Sequence, residues 1–309
     1  MLEFKKAVRK SVPLLVSIAS PSGGGKTYSA LLLAAGLAGP NGRVGFLDTE
    51  NGRGTMYEDS PGIKKALPNG YEYAELQAPF SPDRYIQAIK AAEQCGINVL
   101  VIDSVTHEWE GIGGCTEIAE TKKLRGMPNW ALAKKEHKLF VLHCLSSTMH
   151  IVFCIRAREK VKIVKVIKNG QEKEEIVPIG LQPITEKNFV YEMIVSLLLD
   201  EVTHCATPLK VPEPLAALFP GGKLITMEDG RRIAEWNSVG AKVTDAEHLS
   251  KRARVAAEGG TEAYRAFFLE LTAAQKKLVQ PFHEENKFVA EQADIEAQAV
   301  KGADNDPLP

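Results

Sequence analysis

The stretch IASPSGGGKTYSA, Ile18 to Ala30, constrains the fold more than any other part of this 309-residue chain. It sets three consecutive glycines, Gly23, Gly24 and Gly25, between an apolar run, PLLVSIA (13–19), and a sequence of helical character, TYSALLLAAGLAG. A glycine-rich turn that leaves a buried strand and opens a helix aims backbone N–H groups and the positive end of the helix dipole at one point, which suits a phosphate. Lys26 adds a cation there and Thr27 a hydroxyl. The alternative is an ordinary glycine turn with an exposed lysine, and the flanking strand and helix count against it.

Four further apolar runs follow: RVGFLDT (43–49), INVLVID (97–103), HIVFCIR (150–156) and VYEMIVSLLL (190–199). They are continuously apolar rather than alternating, as in strands buried on both faces of a parallel sheet. Helical stretches stand before two of them, SPDRYIQAIKAAEQ and NWALAKKEHKLFVLHCLSS. The pattern predicts an α/β domain with a mostly parallel central sheet. After Trp236 the composition becomes charged, Ala-rich and helix-forming, with capping-box patterns at TDAE (244–247) and TAAQ (272–275). The expected division is a domain over 1–237 and a small helical module over 238–309, joined by a linker at NSVGAKV, with KGADNDPLP frayed.

A net charge of −1 excludes a wholesale basic surface, so any nucleic-acid contact must be local. The five cysteines never form a C-x-x-C pair, and no H-E-x-x-H spacing occurs, so neither a disulfide framework nor a protein metal site is expected. No apolar run approaches the roughly 20 residues that cross a bilayer. The start MLEFKKAVRK lacks the apolar core of a secretion signal, and the expectation is a cytoplasmic protein with no membrane partner.

SPSGGGKT, Ser20 to Thr27, resembles the Walker A pattern G-x-x-x-x-G-K-[ST], with Ser20 at the first glycine position. In such a loop Ser22, Gly23, Gly24, Gly25, Lys26, Thr27 and Tyr28 surround the nucleotide, Lys26 reaches the β- and γ-phosphates, and Thr27 ligates Mg2+. INVLVIDS ends in Asp103, the carboxylate a Walker B strand supplies to the same ion. FLDTEN ends the second strand with Asp48 and Glu50, and a carboxylate beside the loop can orient or deprotonate water. LDTEN and VIDSV together resemble the RecA-type recombinase core, in particular short phage-encoded RecA-like ATPases of single-strand annealing and recombination. The resemblance covers roughly residues 12 to 200. It implies a RecA-like P-loop ATPase using ATP and Mg2+, with Glu50 activating water, Tyr57 stacking on adenine, and ATP at the subunit interfaces of a homo-oligomer. It further implies single-stranded DNA as partner, a place for a single-strand-binding or annealing protein beside it, and the cytoplasm of a phage host. Where that family carries a polar sensor, usually glutamine, this chain has Arg156, which could report a γ-phosphate bidentately.

Arg156 to Lys168 holds six basic residues and one acid, and continues as KIVKVIKNGQEKEEIVPI, where NG between extended runs predicts a hairpin with Lys165 opposite Glu174. Arg158, Lys160 and Lys162 are candidate contacts to DNA phosphates, and Lys122, Lys123 and Arg125 a second set. Aromatic residues for base stacking are missing from both segments. Two other readings of the loop stay open, a small-molecule kinase and a nucleotide-switched interaction protein.

Overall fold

The computed structural model describes residues 4, 6–123, 126–168 and 171–302. Its strands are β1 (Lys10–Ser11), β2 (Leu15–Ser20), β3 (Val44–Asp48), β4 (Glu72–Glu75), β5 (Val99–Asp103), β6 (His150–Lys168), β7 (Gln171–Pro183), β8 (Val195–Leu199), β9 (Ala206–Lys210) and β10 (Ala241–Lys242). Among the helices, α1 (Lys26–Ala38), α2 (Pro61–Ala66) and α3 (Pro82–Gln94) precede β5, and α4 (Thr106–Glu110), α5 (Cys115–Thr121) and α6 (Trp130–Leu145) follow it. A turn, α7 (Phe189–Glu192), enters β8, and α8 (Met227–Ser238) leads to α9 (Asp245–Glu258), α10 (Thr261–Glu270), α11 (Ala273–Val279) and α12 (His283–Gly302).

The main sheet runs in the order β4-β3-β5-β6-β2-β8-β9. From β4 to β8 every neighbouring pair is parallel, and β9 closes the edge antiparallel to β8. The apolar runs are continuous because successive side chains feed two different cores. Val16 and Ile18 of β2, Val99 and Val101 of β5, and Val152 and Cys154 of β6 pack on the face covered by α1. Leu15, Leu100, Ile102, Ile151 and Phe153 pack on the other, with Tyr85 of α3 and Phe140 of α6. Burying each such side chain contributes about 1.5–3 kcal/mol.

Parallel register aligns the carboxyl ends of the strands, where open α/β sheets hold ligands. Asp48 lies beside Asp103, Asp103 beside Cys154, and Ser20 beside Arg156. Beyond Arg156, β6 leaves the sheet and pairs antiparallel with β7, with Lys165 opposite Glu174 as expected. The NG turn itself, Asn169 and Gly170, lies outside the described residues, as do Arg125 and the tail from 303.

The C-terminal helices carry an apolar cluster of their own, built on Leu249, Ala253, Tyr264, Val279 and Ala290. Both expected capping boxes form, at Thr244/Glu247 and Thr272/Gln275, and a third opens α8 at Thr226/Asp229. The stretch expected as a linker is tied down instead. Asn237 still belongs to α8, and its amide donates to the Val12 carbonyl at 2.8 Å, while Ala241 and Lys242 pair with β1. A side-chain amide bonding to main chain more than two hundred residues earlier leaves no mark in local composition.

Candidate active site

The loop between β2 and α1 owes its shape to its glycines. Gly23 and Gly25 have φ of 84° and 80°, left-handed values that glycine takes without strain. A Cβ on Gly24 would lie 2.8 Å from Ser20 Cβ, so the serine at the first glycine position of the pattern packs directly beneath the second glycine of the run. The Ser20 hydroxyl donates to the Pro21 carbonyl at 2.9 Å, which removes the penalty of burying it.

At the mouth of this loop the structure brings together Lys26, Thr27, Glu50, Asp103 and Arg156. Thr27 Oγ1 donates to Asp103 Oδ2 at 2.5 Å. Lys26 Nζ lies 3.9 Å from Glu50 Oε1 and 3.9 Å from Asp103 Oδ1. Arg156 donates from Nε to Glu50 Oε1 at 3.0 Å, and its Nη2 forms an ion pair with the same oxygen at 3.0 Å. Two cations thus face two carboxylates, and a nucleotide polyphosphate would add negative charge that the cations must then share.

The protonation states follow from this crowding. Burial would push the Glu50 carboxyl up, but the charges of Lys26 and Arg156 outweigh it and hold it below the usual carboxylate range. Burial would likewise lower the Lys26 ammonium, yet Asp103 and Glu50 keep it raised and charged. Asp103 goes the other way. Its burial raises the carboxyl more than Lys26 and Thr27 lower it. Asp103 Oδ1 is buried without a hydrogen-bond partner among the described residues. An orphaned carboxylate oxygen beside a threonine hydroxyl is a hard-oxygen pair that fits Mg2+, with Thr27 and Asp103 holding the ion directly or through water.

Asp48, named from the sequence beside Glu50, and three residues not singled out there, Thr49, His107 and His204, complete the site. Asp48 is structural: Oδ1 accepts from Glu50 N at 2.5 Å, and Oδ2 accepts from Gly54 N at 2.7 Å and from the Tyr73 hydroxyl at 3.0 Å. It therefore fixes the turn that carries Glu50. Thr49 Oγ1 accepts from Ser104 N at 2.8 Å and lies 2.7 Å from His107 Nδ1, tying the end of β3 to the start of α4. His107 stacks on Phe80, and burial, with Arg156 next, lowers its imidazole below the usual value. His204, in the loop after β8 at φ 57°, sits against the phosphate loop, its Nδ1 3.4 Å from where a Gly25 Cβ would be. The adjacent DTE and DSVTH words could have flagged Thr49 and His107. Nothing local could have flagged His204.

Two aromatic candidates face the scaffold. Tyr57 is half-buried against the core under α1, and Tyr28 packs in the same region with its hydroxyl against Gly62 at the start of α2. Of the DNA candidates, Arg158 is held bidentately by Glu110, at 2.9 and 3.2 Å, and Lys122 lies 4.0 Å from Glu136. Lys162 is exposed, Lys160 half-buried, and Lys123 exposed beyond the end of α5.

A glycine loop between a sheet strand and a helix, a hydroxyl joined to a strand-end carboxylate two strands away, and a second carboxylate facing the lysine define a P-loop ATPase core. The family profile described as an AAA domain matches residues 13–204, which span every element just described. The chain belongs to that family. No curated protein matches it. Among solved structures, the KaiC-like protein PH0186 from the hyperthermophilic archaeon Pyrococcus horikoshii OT3 is similar at 13% identity and a TM-score of 0.34, over 67% of this chain and 88% of that chain. No helix among the described residues is long and apolar enough to cross a membrane.

Proposed function

We propose that this chain is a magnesium-dependent ATP hydrolase of RecA type whose turnover responds to single-stranded DNA, working as a homo-oligomer in phage recombination, repair or replication. When bound, Mg2+ held by Thr27 and Asp103 would neutralise phosphate charge as the bond breaks. The chain's own residues supply the rest. Backbone N–H groups of Gly23 to Thr27 and the Lys26 ammonium hold the phosphates. Glu50, kept ionised by its two cations, accepts a hydrogen bond from the attacking water and orients it. Arg156 is shared between Glu50 and incoming phosphate charge, so nucleotide binding would loosen it from Glu50.

The observation that carries the DNA response is the continuity of β6. One strand runs from Arg156, bound to Glu50, through Arg158, Lys160 and Lys162 into the hairpin. A ligand that pulls on the hairpin therefore pulls on the residue touching the candidate catalytic carboxylate. Exposed Val161, Ile163 and Ile176 on that hairpin support self-association, or docking of a single-strand-binding or annealing protein. The phage setting rests on the sequence resemblance.

The test replaces Arg158, Lys160 and Lys162 together by alanine. Basal ATP turnover should survive, stimulation by single-stranded DNA should fall, and the slope of log affinity against log salt should drop by up to roughly 2, at about 0.7 per phosphate contact. An unaltered slope with intact stimulation would move the DNA contact to Lys122 and Lys123. Absence of any DNA effect in the wild type would leave an ATPase without this partner.

A further inference from the structure

Behind the active site, on the far side of α4, three side chains with metal-ligand chemistry meet in a place with almost no solvent. Glu108 and Cys115 are 0% exposed and His137 is 6% exposed. Cys115 Sγ donates to Glu108 Oε1 at 3.2 Å, and His137 Nδ1 lies 3.0 Å from each Glu108 oxygen. The three ligand atoms all lie within 4.8 Å of one another. They come from three successive helices, α4, α5 and α6, separated by seven and twenty-two positions, a spacing that matches no short metal-binding pattern.

The chain goes to some length to build this meeting point. The GIGG turn folds α5 back on α4 through Gly111 N to His107 O and Gly114 N to Gly111 O, both at 2.8 Å. A Cβ on Gly114 would lie 2.7 Å from the Glu108 carbonyl, so only glycine lets the two helices approach closely enough for Cys115 to reach Glu108. The buried carboxylate has one ionic partner among the described residues, His137. A carboxylate removed from water needs strong compensation, by charge as well as by hydrogen bonds.

We propose that Glu108, Cys115 and His137 form a structural site for a zinc ion. Thiolate, imidazole and carboxylate are the zinc donor set, and they disfavour the hard cations that suit the phosphate loop. With bonds of about 2.0–2.3 Å, a tetrahedral ion keeps its ligand atoms roughly 3.3–3.8 Å apart, so the present separations, none above 4.8 Å, would close by about 1 Å or a little more at most. On binding, Cys115 Sγ gives its proton to solvent and forms the Zn–S bond, while His137 presents its Nδ1 lone pair. The ion would lock α4, α5 and α6 together. That knot carries His107, which contacts Thr49 next to Glu50, and the segment with Lys122 and Lys123.

Cobalt(II) is the probe, titrated into the full nucleotide-free chain. The wild type should develop a thiolate-to-cobalt charge-transfer band with tetrahedral d–d absorption, saturating at equimolar metal and displaced by zinc. Cys115→Ala should lose the band. Cys154→Ala, which removes the cross-strand neighbour of Asp103, should keep it. Zinc should raise the thermal midpoint of the wild type and leave that of Cys115→Ala unmoved. Should Cys115→Ala fail to fold, His137→Gln and the wild-type spectrum decide the matter. A wild type without a charge-transfer band, and without a zinc-dependent midpoint, would make the trio a hydrogen-bonded packing cluster only.

Discussion

Arg156 and Lys26 decide how Glu50 behaves, because both place positive charge against a carboxylate that burial alone would push towards the neutral acid. With its folded pKa below the ordinary value, Glu50 stays ionised through neutral and mildly acidic pH. The property it supports is lost only as pH falls through that lowered value. Arg156→Gln removes one charge and the Nε hydrogen bond to Glu50 while keeping a polar side chain. The acid limb of the kcat profile at saturating Mg-ATP should therefore move to higher pH, and an unmoved limb would show that Arg156 does not set the state of Glu50. Asp103 has the opposite sign. Its pKa is raised, so the stability it contributes is present at low pH and lost as pH rises through the folded value, and at neutral pH its charge is a cost in the metal-free chain. Asp103→Asn should leave the metal-free thermal midpoint equal or higher and weaken activation by magnesium about 10–100-fold, as loss of a group supporting a metal does. A lower midpoint with unchanged magnesium dependence would make Asp103 a structural residue.

Helix α1 carries the phosphate loop, and its position depends on a glycine contact with α8. A Cβ on Gly36 would lie 1.9 Å from the Met227 carbonyl, and one on Gly230 would lie 2.1 Å from the Leu33 carbonyl. Both collisions are with main chain, which cannot swing aside. Alanine gains about 1 kcal/mol of helix propensity over glycine, but overpacking of this kind costs about 1–3 kcal/mol. Gly230→Ala should therefore lower the free energy of urea unfolding or displace α1, read as weaker nucleotide binding; an equally stable variant with normal binding would show the helices are not in close contact. The elements were unequally legible in the sequence. Strands buried on both faces announce themselves by continuous apolar runs, as β2, β5 and the start of β6 do. β4, EYAE, is exposed along its length, and β9, ATPLK, is an antiparallel edge with a proline, so neither carries that signal. Only the second half of VYEMIVSLLL is strand, because Phe189 to Glu192 take a helical turn on the way in.

At the scale of the whole molecule, polar contacts between distant segments set the arrangement. The C-terminal helices dock on the core through Lys138 to Glu258 at 3.1 Å, Arg252 to Glu93 at 3.8 Å and Lys135 to the Ala293 carbonyl at 2.9 Å. Such pairings are invisible to composition and periodicity, which explains why the helical character of this region was legible and its seating was not. The active site divides in the same way. Lys26, Thr27 and Asp103 lie in words whose chemistry can be read locally, whereas the grip of Arg156 on Glu50 and the approach of His204 to Gly25 exist only because the sheet aligns its carboxyl ends. The central claim is that this alignment makes a water-activating ATPase site. It is tested most directly by measuring ATP affinity and magnesium-dependent turnover side by side for the wild type, Lys26→Ala and Glu50→Gln. The account predicts turnover in the wild type, none in Lys26→Ala with the fold intact, and a Glu50→Gln variant that binds ATP within a few fold of normal while turning over about 10²–10⁴ times more slowly. Unchanged turnover in Lys26→Ala, or a Glu50→Gln variant that loses binding but not turnover, would contradict it.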